Sequence, residues 1–338
     1  MATSNSQRFL QGQHATDDRN LALKLFWGVV LEAFRAKTVF WDNTGNVIAF
    51  KNISEGKSWS FPIIGDDPTP TYHTPGVELL GQDVSMDEGT ITIDDILVSH
   101  YDVPLDQIVM SHFDVIQPFA RKLGRSLAID LDKKLASIGI SAARTAAVSG
   151  IHSGGQVVER VNGTSVETAY AVSSTGAANF RADLSEMAQL FDEDNVPEDG
   201  RFAFITPYIR RVLQFDTNFF DKDLTAVPVD LHRRILGILE GFLLIPTNHL
   251  PITTITGTGF SKYNVDGAHA GAEGEPVCLC LCGAQEGSAG IGFVQASGIV
   301  PHMEQDERRN TTFMKAQMYG GAGVLAPWCA GEIRVDNS

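Results

Sequence analysis

One stretch, residues 110–138 (MSHFDVIQPFARKLGRSLAIDLDKKLASI), constrains the fold more than any other. Phe119, Leu123, Leu127, Leu131 and Leu135 recur every four residues, with Ile116, Ala120, Ala128 and Ile138 beside them. Arg121, Lys122, Arg125, Lys133 and Lys134 fill intervening positions. That spacing predicts a long amphipathic helix. Asp114 is a good N-cap, and Gln117 three residues on completes a capping-box pattern, so the helix is expected to begin at Val115. Pro118 falls in the first turn, where the N–H groups have no intrahelical partner, and costs no bond. Ending at Ile138, the rod is roughly 36 Å long at ~1.5 Å per residue. A stripe repeating every four residues drifts around a helix of ~3.6 residues per turn by about 40° per step, so different partners should cover it along its length.

Towards the N-terminus, residues 1–17 are rich in Ser, Gln and Asn and are expected to be mobile or ordered only by a neighbour. Residues 21–36 read as a shorter amphipathic helix, with Leu25, Phe26, Val29, Val30, Ala33 and Phe34 on one face and Asp17, Asp18 or Asn20 as cap. Between Val47 and Val98 the period changes to two. KSWSFPI (57–63) and TITID (90–94) alternate as strands, and the Pro/Gly-rich segment 65–83 between them makes a long hairpin with an irregular tip. Trp59, Phe61 and Ile63 share one face of it. A two-stranded hairpin is marginal alone in water, so this one should lie on another surface, in its own subunit or the next.

Residues 102–111 predict a short helix ahead of the long one. Residues 144–178, with interspersed glycines, predict loops and short strands, and Leu184, Met187, Ala188 and Phe191 bring back a helix ending in the acidic turn 192–200. RFAFI (201–205) predicts a buried strand, with Thr206 as N-cap and Pro207 opening a helix to about residue 215. A less clear strand and helix follow over 230–246, then a glycine-rich loop to Pro276. Residues 277–282, 291–296, 311–319 and 331–335 read as strands.

Composition narrows the function classes. With 43% hydrophobic and 20% charged residues, the 338-residue chain can bury a core as two domains or one elaborated domain. No apolar run is long enough to predict a transmembrane helix, and the N-terminal residues lack the pattern of a signal peptide, so synthesis in the cytoplasm is expected. Acidic residues outnumber basic ones 41 to 26 for a net charge of −15. Without a basic stripe, specific DNA recognition is not expected, whereas an acidic wall that encloses DNA without adhering to it is compatible.

Catalytic patterns are absent: there is no HExxH, GxSxG, CxxC pair or GxGxxG opening a helix. Gly56-Lys57-Ser58 imitates the end of a phosphate-binding loop, but Lys51 stands where the first glycine belongs and a strand pattern follows. His152-Ser153 could supply base and nucleophile, yet neighbours on a strand or loop point apart. His100 and His112 read as packing residues beside the short helix, and Glu304, Asp306 and Glu307 as a solvated charge cluster. Cys278, Cys280 and Cys282 alternate on a strand, placing three sulfurs about 7 Å apart on one face; they read as small core residues, with a metal site as the alternative. Cys329 is isolated in sequence, and no disulfide framework is expected.

Several of these segments resemble the major capsid proteins of T7-like short-tailed phages, which have the HK97 fold. The matching residues are LALKLFWGVVLEAF (21–34), SEGKSWSFPIIG (54–65), TPG (74–76), ITIDDIL (91–97), MSHFDV and LGRSLA; VPEDGRFAFITPYI (196–209), Arg308, Arg309 and YGGAG (319–323) match more weakly. The resemblance implies an α+β, HK97-like capsid subunit: an N-terminal arm (1–38), an extended β-hairpin loop (39–99), a peripheral domain with a long spine helix (100–143) and an axial domain (144–300). Residues 301–338 would return to the peripheral domain and add a final axial strand.

It implies a structural protein rather than an enzyme, without cofactor or metal. Such a chain self-assembles into hexamers and pentamers of an icosahedral head that encloses double-stranded DNA. Its partners would be further copies of itself, a scaffolding protein, a portal and a decoration protein, with no membrane. It would be assembled in the bacterial cytoplasm and carried in the virion. Interface candidates are Trp59, Phe61, Ile63 and Tyr72, because exposed aromatic and apolar anchors dominate interface energetics. Two other readings stay open from the sequence: an encapsulin-like compartment shell, and a metal-dependent hydrolase built on the cysteine strand and a distant histidine.

Overall fold

The computed structural model describes residues 18–41, 47–65, 68–76, 78, 81–82, 84–94, 96–110, 116–160, 165–215, 237–251, 261–263, 275–283, 289–306 and 308–335. In chain order the elements are α1 (Asp18–Arg35), β1 (Ile48–Asn52), β2 (Ser58–Ile64), β3 (Met86–Thr92), β4 (Leu97–Pro104), α2 (Leu105–Met110) and the spine helix α3 (Ile116–Ala143). There follow β5 (Gln156–Arg160), α4 (Val166–Ala169), α5 (Ser174–Glu193), β6 (Arg201–Ile205), α6 (Pro207–Leu213), β7 (Ile238–Leu239) and β8 (Phe242–Pro246). The chain closes with β9 (Glu275–Cys282), β10 (Ile291–Asp306), β11 (Thr311–Val324) and β12 (Ala330–Val335). No described helix is long and apolar enough to cross a membrane.

The described residues pack as two units. The first takes in those of Met1–Asp42, Asp94–Asp132 and Gln295–Gly320. Here α1 turns Phe26, Val30 and Phe34 inward, and the leading half of α3 does the same with Ala120, Leu123 and Leu127. Each leucine so buried contributes about 1.5–3 kcal/mol. Gly124 lets the helices approach closely: a Cβ there would stand 2.3 Å from the Val30 carbonyl oxygen and 3.2 Å from the Ala33 Cβ. Beyond α1 the Val39 N–H donates to Asp132 Oδ2 at 2.6 Å. β4 pairs antiparallel with β11, from Thr311 opposite Pro104 to Met318 opposite Leu97. Tyr101 meets Phe119 edge-on at 5.2 Å, and His100 packs on Phe313 at 5.9 Å. His100 is thus a packing residue; His112 and the Asp114 cap lie outside the described residues.

The second unit takes in Asn43–Ile93, Lys133–Val294 and Gly321–Ser338. It is built on a six-stranded sheet in the order β5-β12-β9-β6-β8-β7. β12 runs parallel to β5 and antiparallel to β9, and β6 runs parallel to β8. β6 and most of β9 are buried on both faces, as expected for continuous apolar strands. Phe180, Leu184, Met187 and Phe191 of α5 pack with Ile209, Val212 and Leu213 of α6 over Cys278, Cys280 and Cys282. The opposite face of β9 meets the spine helix at Gly139, where a Cβ would lie 2.8 Å from Leu279 Cδ2. The rod therefore changes partners along its length, from α1 at Gly124 to β9 at Gly139. β1 accompanies the start of β10, with Phe50 stacked on Phe293 at 6.1 Å.

Several sequence expectations need correction. The spine helix runs to Ala143, not Ile138, because Ile140, Ala142 and Ala143 remain buried. Lys134, one of the charged residues between the apolar positions, is only 6% exposed, and its ammonium lies 5.6 Å from the Tyr263 ring centre, a cation–π contact. The short helix starts at Leu105, since residues 102–104 continue β4. Within 144–178 the strand β5 is joined by the turn of helix α4, and α5 begins at Ser174, capped by the Ser173 hydroxyl on the Gly176 N–H at 3.2 Å. Among the described residues of 230–246 there are two strands and no helix. β10 and β11 run well past their apolar cores. Thr206 and Pro207 open α6 as expected.

Candidate assembly surface

β2 and β3 pair antiparallel over their whole length, from Ser58 opposite Thr92 to Ile64 opposite Met86. Alternation puts Trp59, Phe61 and Ile63 on one face and Ser58, Ser60, Pro62 and Ile64 on the other. The first face is anchored at its root. Phe61 packs against a small cluster of Ile53, Ile91, Ile93 and Val294, so it is half-buried within its own chain and not the exposed aromatic expected from sequence. Ile63 is half-buried too. Trp59, opposite Ile91, stays 39% exposed with the Lys51 ammonium 4.7 Å from its ring centre. Tyr72, in the tip segment, is fully exposed.

The other face carries a feature that alternation alone did not flag. Ile64 and Met86 are direct cross-strand partners at the far end of the ladder, 67% and 74% exposed. Neither reads as special alone; only the register brings them together. Ser60 and Thr90 hydroxyls meet at 3.3 Å behind them, and the Gly65 N–H donates to the Ser85 carbonyl at 2.8 Å to close the hairpin toward its tip. The arrangement offers an apolar, two-strand ledge to a partner surface.

The remaining candidate groups are occupied structurally. His152 Nδ1 meets the Ser153 carbonyl at 2.9 Å, and its ring lies 5.7 Å from that of Trp328, so the imidazole engages main chain and indole. Gly56-Lys57-Ser58 leads into β2, with Gly56 at φ 94°, a strand where a phosphate loop needs a helix. Among the described residues no three His, Cys, Asp or Glu side chains converge as a metal site. Cys278 and Cys280 sulfurs lie 3.8 Å apart, closer than the Cα spacing suggests because side-chain rotation tilts them together. Cys329 is not isolated in the fold: it immediately precedes Ala330, the ladder partner of Leu281, and is buried in the same core as Cys278, Cys280 and Cys282. Asp306 caps the β10–β11 turn by accepting from the Arg308 N–H at 2.9 Å and the Arg309 N–H at 3.3 Å.

Two buried polar networks had no sequence signal. Arg160, Tyr170 and Asp183 interlock: Arg160 Nε and the Tyr170 hydroxyl each donate to Asp183 Oδ2 at 2.7 Å, and burial, with Asp183 beside it, pushes the Tyr170 phenol above its ordinary range. Arg144 grips Glu332 through two hydrogen bonds. Glu275 borders a cleft with Glu167, Thr206, Tyr208 and Asn248; desolvation and the charge of Glu167 raise its carboxyl above the usual value.

With its β2–β3 hairpin, spine helix and six-stranded sheet, the chain falls in the class of phage capsid subunits by comparison with known proteins. A family model described as Gp10A-like major capsid protein matches residues 60–334. The chain belongs to that family. It is 32% identical to the major capsid protein of Enterobacteria phage T3 over 124 residues, 36% of this chain and 34% of that protein, so the match spans about a third of that relative's length. Among solved structures, the capsid of cyanophage P-SCSP1u superposes with a TM-score of 0.75 at 27% identity, covering 100% of both chains. The mature capsid of bacteriophage PhiM1 gives a TM-score of 0.70 at 14% identity over 89% of this chain and 88% of that one, a likeness of fold alone. The fold is HK97-like, and the family role is structural rather than enzymatic.

Proposed function

We propose that this chain is the repeating subunit of an icosahedral phage head, assembling into hexamers and pentamers that enclose double-stranded DNA. The observation that carries the reading is the family match across residues 60–334, which spans the hairpin, the spine helix and the six-stranded sheet. The net charge of −15 supports a wall that confines DNA without binding its sequence.

In this reading residues 1–38 serve as the N-terminal arm, 39–99 as the extended loop across a neighbouring subunit, 100–143 as peripheral domain with spine, 144–300 as axial domain and 301–338 as the return. Trp59, Ile63 and Tyr72 contact the neighbour, Phe61 braces the hairpin from below, and Ile64 with Met86 extend the contact. A scaffolding protein guides assembly in the host cytoplasm, a portal occupies one vertex, and a decoration protein binds outside.

Sedimentation of the full chain expressed with its scaffold tests this: shells run fast, subunits slowly. Deleting residues 65–83 should leave a soluble subunit that stays slow. Closed particles from that deletion would refute the clamping role of the hairpin.

A further inference from the structure

We propose that the acidic β2–β3 hairpin of one copy docks on the basic outer face of the spine helix of a second copy, with Asp87 and Glu88 meeting Arg121 and Arg125. The inference rests on the shell-subunit reading and names the surface that the hairpin meets. Charge is segregated along the chain. From Ser58 to Thr92 the acidic residues are Asp66, Asp67, Glu78, Asp83, Asp87 and Glu88, and no Lys or Arg occurs. Asp87 and Glu88 are exposed on β3, opposite Ile63 and Pro62. Alternation points them to opposite faces, and no other described strand covers the outer edge of β3, so a rod laid along that edge reaches both. Among the described residues neither carboxylate has a cationic partner, and Asp87 accepts only the Glu88 N–H.

The leading half of the spine helix carries the opposite charge. Arg121, Lys122 and Arg125 are exposed there, and no acidic residue lies between Ile116 and Ile129. Ala120, Leu123 and Leu127 bury the other side of the helix in its own unit. Arg121 and Arg125 stand about one turn apart, roughly 6 Å along the axis. Neither makes an ion pair among the described residues, and the Lys122 ammonium lies 5.8 Å from the Phe119 ring centre. The arginine at the β10–β11 turn differs: Arg309 already has Asp306 at 3.8 Å, so its charge is answered within the turn.

One chain thus presents two unpartnered surfaces of opposite sign. Complementary surfaces on a single chain associate head to tail, and such a contact closes into a ring when the rotation between copies allows it. The hexamers and pentamers of the proposed head are rings of this kind. Exposed ion pairs are each worth little in water, so charge here selects the partner, sets the register and speeds encounter more than it adds affinity. Apolar area comes from Met86, next to Asp87 on β3, and from Ile64 across the ladder, both exposed.

Charge reversal tests the pairing in the full chain expressed with its scaffold. Asp87→Lys with Glu88→Lys, and separately Arg121→Glu with Arg125→Glu, should each lower shell yield about tenfold or more by sedimentation, and the four changes together should restore most of it. Only exposed side chains change, so each variant should melt with the natural chain. A combined variant no better than either parent overturns the proposal. So does a spine reversal without effect beside a hairpin reversal that abolishes shells, which would put the hairpin on the scaffold instead. A second measurement needs no shells and stands in for a reversal that fails to fold. Glu88→Cys with Arg125→Cys, oxidised, alkylated and run on a non-reducing denaturing gel, should give a ladder of covalently joined chains, while each single variant runs as one chain. Single chains alone, a bond within one chain, or dimers from Glu88→Cys by itself overturn the proposal. The outcomes separate the two readings. Shells from the natural chain that neither reversal affects keep the head and sink the docking, and a ladder from a protein that never forms shells does the reverse.

Discussion

Arg144 and Glu332 meet through two hydrogen bonds, Nε to Oε2 at 2.6 Å and a terminal nitrogen to Oε1 at 2.7 Å, across 188 residues of chain. Arg144 follows the last turn of the spine helix and Glu332 sits in the middle of the final strand, so the pair ties the rod to the sheet within one unit. Both side chains are almost wholly buried. Burial pushes the Glu332 carboxyl up from its usual range, and Arg144 pulls against that shift.

Removing one partner leaves a buried charge without compensation. Arg144→Met should destabilise the subunit by about 3–5 kcal/mol. Adding Glu332→Leu to it should recover most of the loss, because two apolar side chains replace the pair without stranding a charge. Urea denaturation of the single and double variants checks both; a double variant no better than the single contradicts the account.

The crossing of α1 over the spine depends on the missing side chain of Gly124. Gly124→Ala puts a methyl against the Val30 carbonyl and should cost about 1–3 kcal/mol, concentrated in α1. Amide hydrogen exchange should show lost protection over residues 26–34 while β9 keeps its own. Uniform loss across both would mean that the contact is not local.

Glu275 predicts a pH dependence of definite sign. Its folded-state value is raised by desolvation and by Glu167, so folding is favoured below the ordinary glutamate range and loses that advantage as pH rises through the raised value. Glu275→Gln should therefore melt higher than the natural protein at neutral pH, and the gap should close in acid. Calorimetry at several pH values reads it; a gap that widens in acid would reverse the assignment.

Ile64 and Met86 should matter to assembly and not to folding. Being exposed, Ile64→Asp with Met86→Lys should shift subunit stability by no more than about 0.5 kcal/mol per site. Shell yield, read by sedimentation, should drop sharply if the ledge is an interface. Normal yield would remove these two residues from it.

Much of this architecture was legible because it is written in local periods. The four-residue leucine stripe marked the spine, alternation marked β2, β3 and β9, and Thr206-Pro207 marked a helix start. What escaped depends on contacts distant in sequence. Nothing near Arg144 announces Glu332, Cys329 looks solitary until β12 is laid on β9, and Phe61 reads as exposed until Val294 arrives beneath it. Lys134 falls between the apolar positions of the stripe, and its contact with Tyr263, far along the chain, has no local signal. The candidate surface divided in the same way: Trp59 and Tyr72 could be chosen as single aromatics, whereas the Ile64–Met86 pair exists only in the register.

Negative-stain electron microscopy of the full chain, expressed with its scaffold, tests the central claim most directly. Closed icosahedral shells, or hexamers and pentamers of the subunit, are the predicted result. A protein that remains monomeric with scaffold present would contradict it.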